Sequence, residues 1–197
     1  MRRLTAAALI LALAGPAWAH PHSYLDASLG LVLADGRVAA VEVTWLFDEL
    51  DTEIALDGND KNGDGKLDAA ELDDLATRMQ KHIATQQFHT HLRVDGKVVP
   101  ITGIDRLRLT MQDKRMRARF RATLAEPVDP RARKVTIGLY DDSYYIQFGF
   151  DPARDLKLDG ALPQGCRVVT YADRTVTIFE VVGSKVHPTV TGIECDK

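Results

Sequence analysis

Twelve consecutive residues carry the densest chemistry in this chain: Asp60-Lys61-Asn62-Gly63-Asp64-Gly65-Lys66-Leu67-Asp68-Ala69-Ala70-Glu71. A calcium ion takes six to eight oxygen ligands. The EF-hand loop supplies them from positions 1, 3, 5, 7, 9 and 12, with glycine at 6 for the sharp turn. Here Asp60, Asn62 and Asp64 fill positions 1, 3 and 5, and Gly65 is the turn. Lys66 offers its backbone carbonyl, Asp68 binds directly or through water, and Glu71 binds through both oxygens. A plainer reading takes the segment as an acidic turn ahead of a capped helix, with Asp68 and Glu71 as the capping pair. That reading leaves Asp60, Asn62 and Asp64 unexplained at alternate positions, so the pattern predicts Ca2+. A single loop favours a structural ion over a paired sensor.

The histidines suggest softer chemistry. His20-Pro21-His22 and His89-Thr90-His91 each place two imidazoles two residues apart. Imidazole suits Zn2+, Cu2+ or Ni2+. An amino-terminal His20 would add its α-amine, whereas Pro21 has no N–H and blocks a planar four-nitrogen site. On a strand, residues two apart share a face, so His89 and His91 are expected to reach one ion. Read plainly, His20 and His22 are a frayed terminus and His89 and His91 surface residues. His82 and His187 are read as incidental.

Arg115, Arg117, Arg119 and Arg121 alternate with Met116, Ala118 and Phe120, and Arg106 and Arg108 alternate with Leu107 and Leu109. On strands this makes one cationic face. It is either a solvated face neutralised by the chain's own carboxylates or a docking patch for an acidic partner or anionic head groups. The aromatic run 140–148 reads as a turn between core strands or as the wall of a ligand cleft. No G-x-S-x-G, H-E-x-x-H, P-loop or G-x-G-x-x-G pattern occurs, and no enzyme is predicted.

The elements that must position these residues follow from periodicity. Residues 23–33 and 37–47 alternate as strands around the Asp35-Gly36 turn. Leu46, Leu50 and Ile54 lie four apart, as on one helical face. Leu72, Leu75, Met79 and Ile83 mark a second, amphipathic helix. From Phe88 the chain is β-like, with strands expected near 104–110, 115–125, 134–140, 144–150, 166–171 and 174–182. The expected fold is α+β in a single domain over 20–197. It is mostly antiparallel β and sandwich-like, with a helix–loop–helix EF-hand inserted at about 46–87.

The amino terminus reads as a signal peptide over 1–19. Arg2 and Arg3 precede an apolar stretch too short to span a membrane, and Ala17-Trp18-Ala19 closes it. Cleavage there leaves 23 basic against 28 acidic side chains, a net charge of −5. An acidic exported chain is a poor nucleic-acid binder, so none is predicted. In an oxidising periplasmic or secreted setting Cys166 and Cys195 form a disulfide; otherwise they are two buried thiols.

Several segments together resemble the DUF1007 family: His20-Pro21-His22-Ser23-Tyr24-Leu25-Asp26, Val43-Thr44-Trp45-Leu46-Phe47-Asp48-Glu49, the loop 60–71, Val94-Asp95-Gly96, Tyr140-Asp141-Asp142-Ser143-Tyr144-Tyr145 and Gly165-Cys166. Members are often labelled as a periplasmic component of an ABC-type transport system. The resemblance implies export and a membrane transporter as partner, in a setting related to transition metals. The leading expectation is a periplasmic calcium-binding accessory or solute-binding component of such a system. The alternative is a calcium-stabilised docking or adhesion module using the arginine face, and the third is a hydrolase.

Overall fold

Alternation decides the first ladder. In β1 (Ser23–Ala34) the side chains of Leu25, Ala27 and Leu29 are buried and their neighbours are not, and Leu31, Val32 and Leu33 are buried in succession. In β2 (Arg37–Phe47) Val43 and Trp45 are buried between less buried neighbours, and Ala40 and Val41 are buried in succession. The two strands pair antiparallel through the turn at Asp35-Gly36, where both residues have positive φ. A bulge between Val32 and Leu33 turns both side chains into the core. The computed structural model describes residues 21–196. The expected signal peptide and His20 therefore lie outside the described residues.

Two sheets share one apolar core. The first has the order β5 (Arg108–Gln112), β6 (Arg115–Val128), β2, β1 and β8 (Ile146–Gly149). β8 and β9 (Leu156–Asp159) lie parallel to opposite ends of β1. The second has the order β10 (Cys166–Ala172), β13 (Thr189–Cys195), β7 (Val135–Leu139), β3 (Thr90–Val94) and β4 (Lys97–Val99), all antiparallel. A hairpin, β11 (Phe179–Val181) with β12 (Ser184–Val186), stands apart from both. Leu29, Val43, Trp45 and Phe120 of the first sheet belong to one cluster with Leu92, Ile137 and Ile193 of the second. The fold is thus α+β and mostly antiparallel.

Two helices separate β2 from β3: α1 (Glu49–Asn59) and α2 (Ala69–Ala84). A short α3 (Pro152–Asp155) leads into β9. Asp48 caps α1 by accepting from the Asp51 amide at 2.7 Å. Asp68 and Glu71 form a reciprocal capping box on α2. Leu72 and Ile83 of α2 are buried, and Leu75 and Met79 pack against the core. Among the described residues no helix is long and apolar enough to cross a membrane.

Three expectations about elements are corrected. Leu46 does not open the first helix: it pairs with Arg117 and Asp26 within the ladder, and α1 starts at Glu49. Leu50 and Ile54 are 61% and 62% exposed. α1 instead seats Thr52, Ala55 and Leu56, because the Thr52 hydroxyl both donates to the Asp48 carbonyl and accepts the Met116 amide of β6. The strand expected near 104–110 begins at Arg108, and the one expected over 174–182 contracts to Phe179–Val181. Strand β9 has no counterpart among the expected elements. Its exit at Gly160 has φ +103, with the Leu33 carbonyl 2.3 Å from where a Cβ would stand, so only glycine fits.

Candidate functional site

The loop 60–71 is wound around its own carboxylates. Asp60 Oδ1 accepts the amides of Gly63 and Asp64 at 2.7 and 3.2 Å, and Oδ2 accepts that of Gly65 at 2.8 Å. Asn62 Oδ1 takes the Asp64 amide and Asp64 Oδ1 the Lys66 amide, each at 2.9 Å. Gly63 and Gly65 hold φ of +73 and +77. Nothing would contact a Cβ at either, so conformation rather than space calls for glycine there. Lys66 is exposed and Leu67 is buried in the core.

Glu71 closes the loop from beneath. It is 5% exposed. Oε1 accepts the Lys61 amide at 2.7 Å and Oε2 the Asp68 amide at 2.9 Å. Asp68 Oδ1 in turn accepts the amides of Ala70 and Glu71 at 2.8 and 2.9 Å. One side chain therefore fastens the start of the loop to its end. A carboxylate has about four lone-pair sites, so Asp60, Asp64 and Asp68 keep acceptor capacity beyond these bonds. In donor type, turn geometry and residue order the loop fits a hard cation. Its side chains are turned onto amides, however, and among the described residues no group of three His, Cys, Asp or Glu is gathered to hold a metal.

A second centre forms where the amino-terminal strand meets the turn 140–145. The amides of His22 and Ser23 donate to the Tyr145 carbonyl at 2.9 and 3.2 Å. The His22 and Tyr145 rings stack with centroids 4.8 Å apart. The turn is organised by Asp141, which is buried. Its carboxylate accepts the Ser143 amide and hydroxyl and the amides of Tyr145 and Ile146, at 2.8 to 3.0 Å. Burial alone would raise the Asp141 carboxyl, but the bonds from Ser143 and Ile146 and the nearby His89 outweigh it and hold it below the ordinary carboxylate range. The Asp-x-Ser pattern of an Asx turn is the sequence signal that marks Asp141.

His89 and His91 flank the same turn, but not as paired ligands on a strand face. Gln87, Phe88 and His89 all have positive φ, at 53, 53 and 46. This left-handed turn precedes β3 and swings the His89 ring inward, to 5.9 Å from Trp45 and 5.7 Å from Phe148. His91 lies on β3 proper and stacks on Tyr140 at 3.7 Å, its Nε2 donating to the Tyr140 carbonyl at 3.0 Å. The shared-face expectation fails because His89 is not in extended backbone. Burial lowers the pKa of both rings against the opposing pull of Asp141 and Asp142, so both are neutral at pH 7. Nearby, the Trp45 indole N–H is buried with no hydrogen-bond partner among the described residues.

Between the sheets, Tyr140, Tyr144 and Phe148 join Leu29, His187 and Thr191 around a cleft of about 170 Å³. The aromatic run is thus both a turn and a cleft wall. Cys166 and Cys195 face each other across β10 and β13 and are joined by a disulfide. The arginines lie on the outer face of the first sheet. Arg115 binds Asp26 and the Phe47 and Leu46 carbonyls. Arg119 and Arg121 share Glu42, at 2.8 and 3.6 Å. Arg106 sits in the loop before β5 and meets Asp73 of α2 at 2.9 Å. Arg117 donates to Gln112, and Arg108 stands directly opposite Arg119.

The sequence profile of the family described as "Protein of unknown function (DUF1007)" matches residues 5–175. The chain belongs to the DUF1007 family. That span holds every segment described above except the β11–β12 hairpin and β13. This DUF1007 protein is also 26% identical over 100 residues to an uncharacterized 15.5 kDa protein in the trpE 3' region of Spirochaeta aurantia, covering 51% of this chain and 71% of the relative. No solved structure matches it.

Proposed function

We propose that this DUF1007 protein is an exported calcium-binding protein whose ion, held by the loop 60–71, clamps the two-helix insert to the sandwich. Asp60, Asn62 and Asp64 would supply side-chain oxygens, Lys66 its carbonyl, Asp68 a direct or water-bridged oxygen, and Glu71 both of its own. One observation carries the reading: the amides of Gly63, Asp64 and Gly65 are already folded onto Asp60, so the backbone has the shape of an ion-binding loop. When bound, calcium supplies charge neutralisation rather than chemistry, and no enzymatic role is assigned.

A second reading concerns the histidines. His22 packs on Tyr145, and neutral His89 and His91 flank the same turn. This supports a role for His20, His22 and His91 in capturing Zn2+, Cu2+ or Ni2+ as cargo for a periplasmic transport system, whereas the His89 ring is enclosed between Trp45 and Phe148. Elemental analysis of untagged protein purified without chelator tests both readings. One equivalent of calcium is expected, together with a transition metal that His20→Ala removes. Protein free of calcium that also fails to take it up in titration would overturn the first. Calcium alone would overturn the second.

A further inference from the structure

We propose that the outer face of the first sheet is a docking site for an acidic, extended segment of a partner protein. The inference is independent of the calcium reading. Arg106, Arg108, Arg119 and Arg121 surround a depression of about 370 Å³, whose only carboxylates are Glu42 and Asp105. Across Arg119 the depression continues into a groove of about 500 Å³. There Arg117, Arg154 and Lys157 add positive charge and Asp26 and Asp155 add negative. Seven cations and four carboxylates line the two depressions; Arg106 is held by Asp73 of α2 and Arg154 by Asp155, and Arg119 and Arg121 share Glu42, which leaves Arg108, Arg117 and Lys157 without a carboxylate among the described residues, on a chain whose net charge is −3.

The pairing inside this face is incomplete. Glu42 alone serves Arg119 and Arg121. Arg108 lies directly opposite Arg119 in the ladder and has no carboxylate within ion-pair distance among the described residues. Like charges placed so are destabilising. Among the described residues Arg117 bonds only to Gln112, and its Nε is buried with no hydrogen-bond partner. Guanidinium groups that a protein leaves unpaired in a groove match carboxylates geometrically, often through two parallel bonds.

The spacing selects the occupant. Arg117, Arg119 and Arg121 project from one face of β6, so successive guanidinium stems start about 6.7 Å apart. An extended peptide with an acid at every second residue repeats at the same distance. β6 is already paired on both edges, with β5 and β2, so such a peptide would be held by side chains and not as an added strand. A flat anionic bilayer fits poorly, because the arginines line depressions and four carboxylates stand among them.

Fluorescence anisotropy with a labelled Glu-Ser-Glu-Ser-Glu-Ser-Glu-Ser peptide tests the proposal. The purified chain should bind it at low salt more tightly than the blocked isomer Glu-Glu-Glu-Glu-Ser-Ser-Ser-Ser, and salt should weaken the complex. Combining Arg117→Ser with Arg119→Ser should weaken binding about tenfold. Arg108→Thr, which breaks no ion pair, should weaken it several-fold and keeps the test valid if the double variant does not fold. Equal binding by wild type and the Arg108→Thr variant would overturn the proposal. So would binding to phosphatidylglycerol vesicles or to a single-stranded oligonucleotide without binding to the alternating peptide.

Discussion

Replacing Glu71 by Gln separates its two roles. The carboxylate accepts two backbone amides, at 2.7 and 2.9 Å, from a position that is 5% exposed. Glutamine keeps one acceptor oxygen and turns an amide toward the other donor, leaving one buried N–H unpaired, at a cost of about 1–3 kcal/mol. For a domain of this size that corresponds to a Tm about 3–10 °C lower in chelator. Calcium at a hundred times its dissociation constant adds about 2.7 kcal/mol to the wild type, or about 5–10 °C. A glutamine side chain cannot supply two ligand oxygens, so that increment should vanish in the variant. Paired thermal melts in chelator and in excess calcium read both quantities. A wild type whose Tm ignores calcium refutes the calcium clamp. A variant that is lowered in chelator yet gains as much from calcium as wild type refutes the assignment of Glu71 as the bidentate ligand.

Four further outcomes are expected. Replacing Cys166 and Cys195 by Ser opens a cross-link of sequence separation 29; urea denaturation should show a loss of about 3–4 kcal/mol. Asp141→Asn should cost about 1–3 kcal/mol at neutral pH, because an amide nitrogen faces donor N–H groups. Since the folded pKa of Asp141 is lowered, its contribution is present above the unfolded value and is lost as pH falls through the folded one. Urea midpoints below about pH 4 should therefore fall less steeply in the variant; parallel acid limbs would contradict this. Arg108→Thr should raise stability by a few tenths of a kcal/mol at low salt, and the gain should disappear at high salt. Leu50→Gln and Ile54→Gln should shift stability by less than about 0.5 kcal/mol, whereas Leu72→Ala costs about 2–5 kcal/mol. A large loss at Leu50 would mean that α1 is docked on its other face.

Where one interaction dominated a segment, periodicity or spacing was enough to read it. The arginines of β6 alternate with Met116, Ala118 and Phe120, and the strand buries those three and turns the arginines out. In α2 the apolar spacing and the capping pair agree, and the helix starts and packs where they place it. Legibility failed where a local signal competed with a tertiary one. Leu46, Leu50 and Ile54 have helical spacing, but the ladder with β1 and β6 holds Leu46 in the strand, and the Thr52 hydroxyl then rotates α1 so that both other residues face solvent. The histidines failed for a related reason. A strand period assigns His89 and His91 to one side only if the backbone is extended through both, and three residues with positive φ stop that just before Thr90. Left-handed backbone at Gln87, Phe88 and His89 carries a cost with no glycine to announce it. The compensation is distant in sequence: the Gln87 side chain accepts the Ile101 amide, Phe88 packs on Phe120, and the Tyr140 amide donates to the His89 carbonyl. No window of neighbouring residues contains those partners. The same turn brings the buried His89 and the stacked His91 to the flank of the Asp141 turn, where His22 also lies, so the strain sits where β3 meets that turn and the amino-terminal strand.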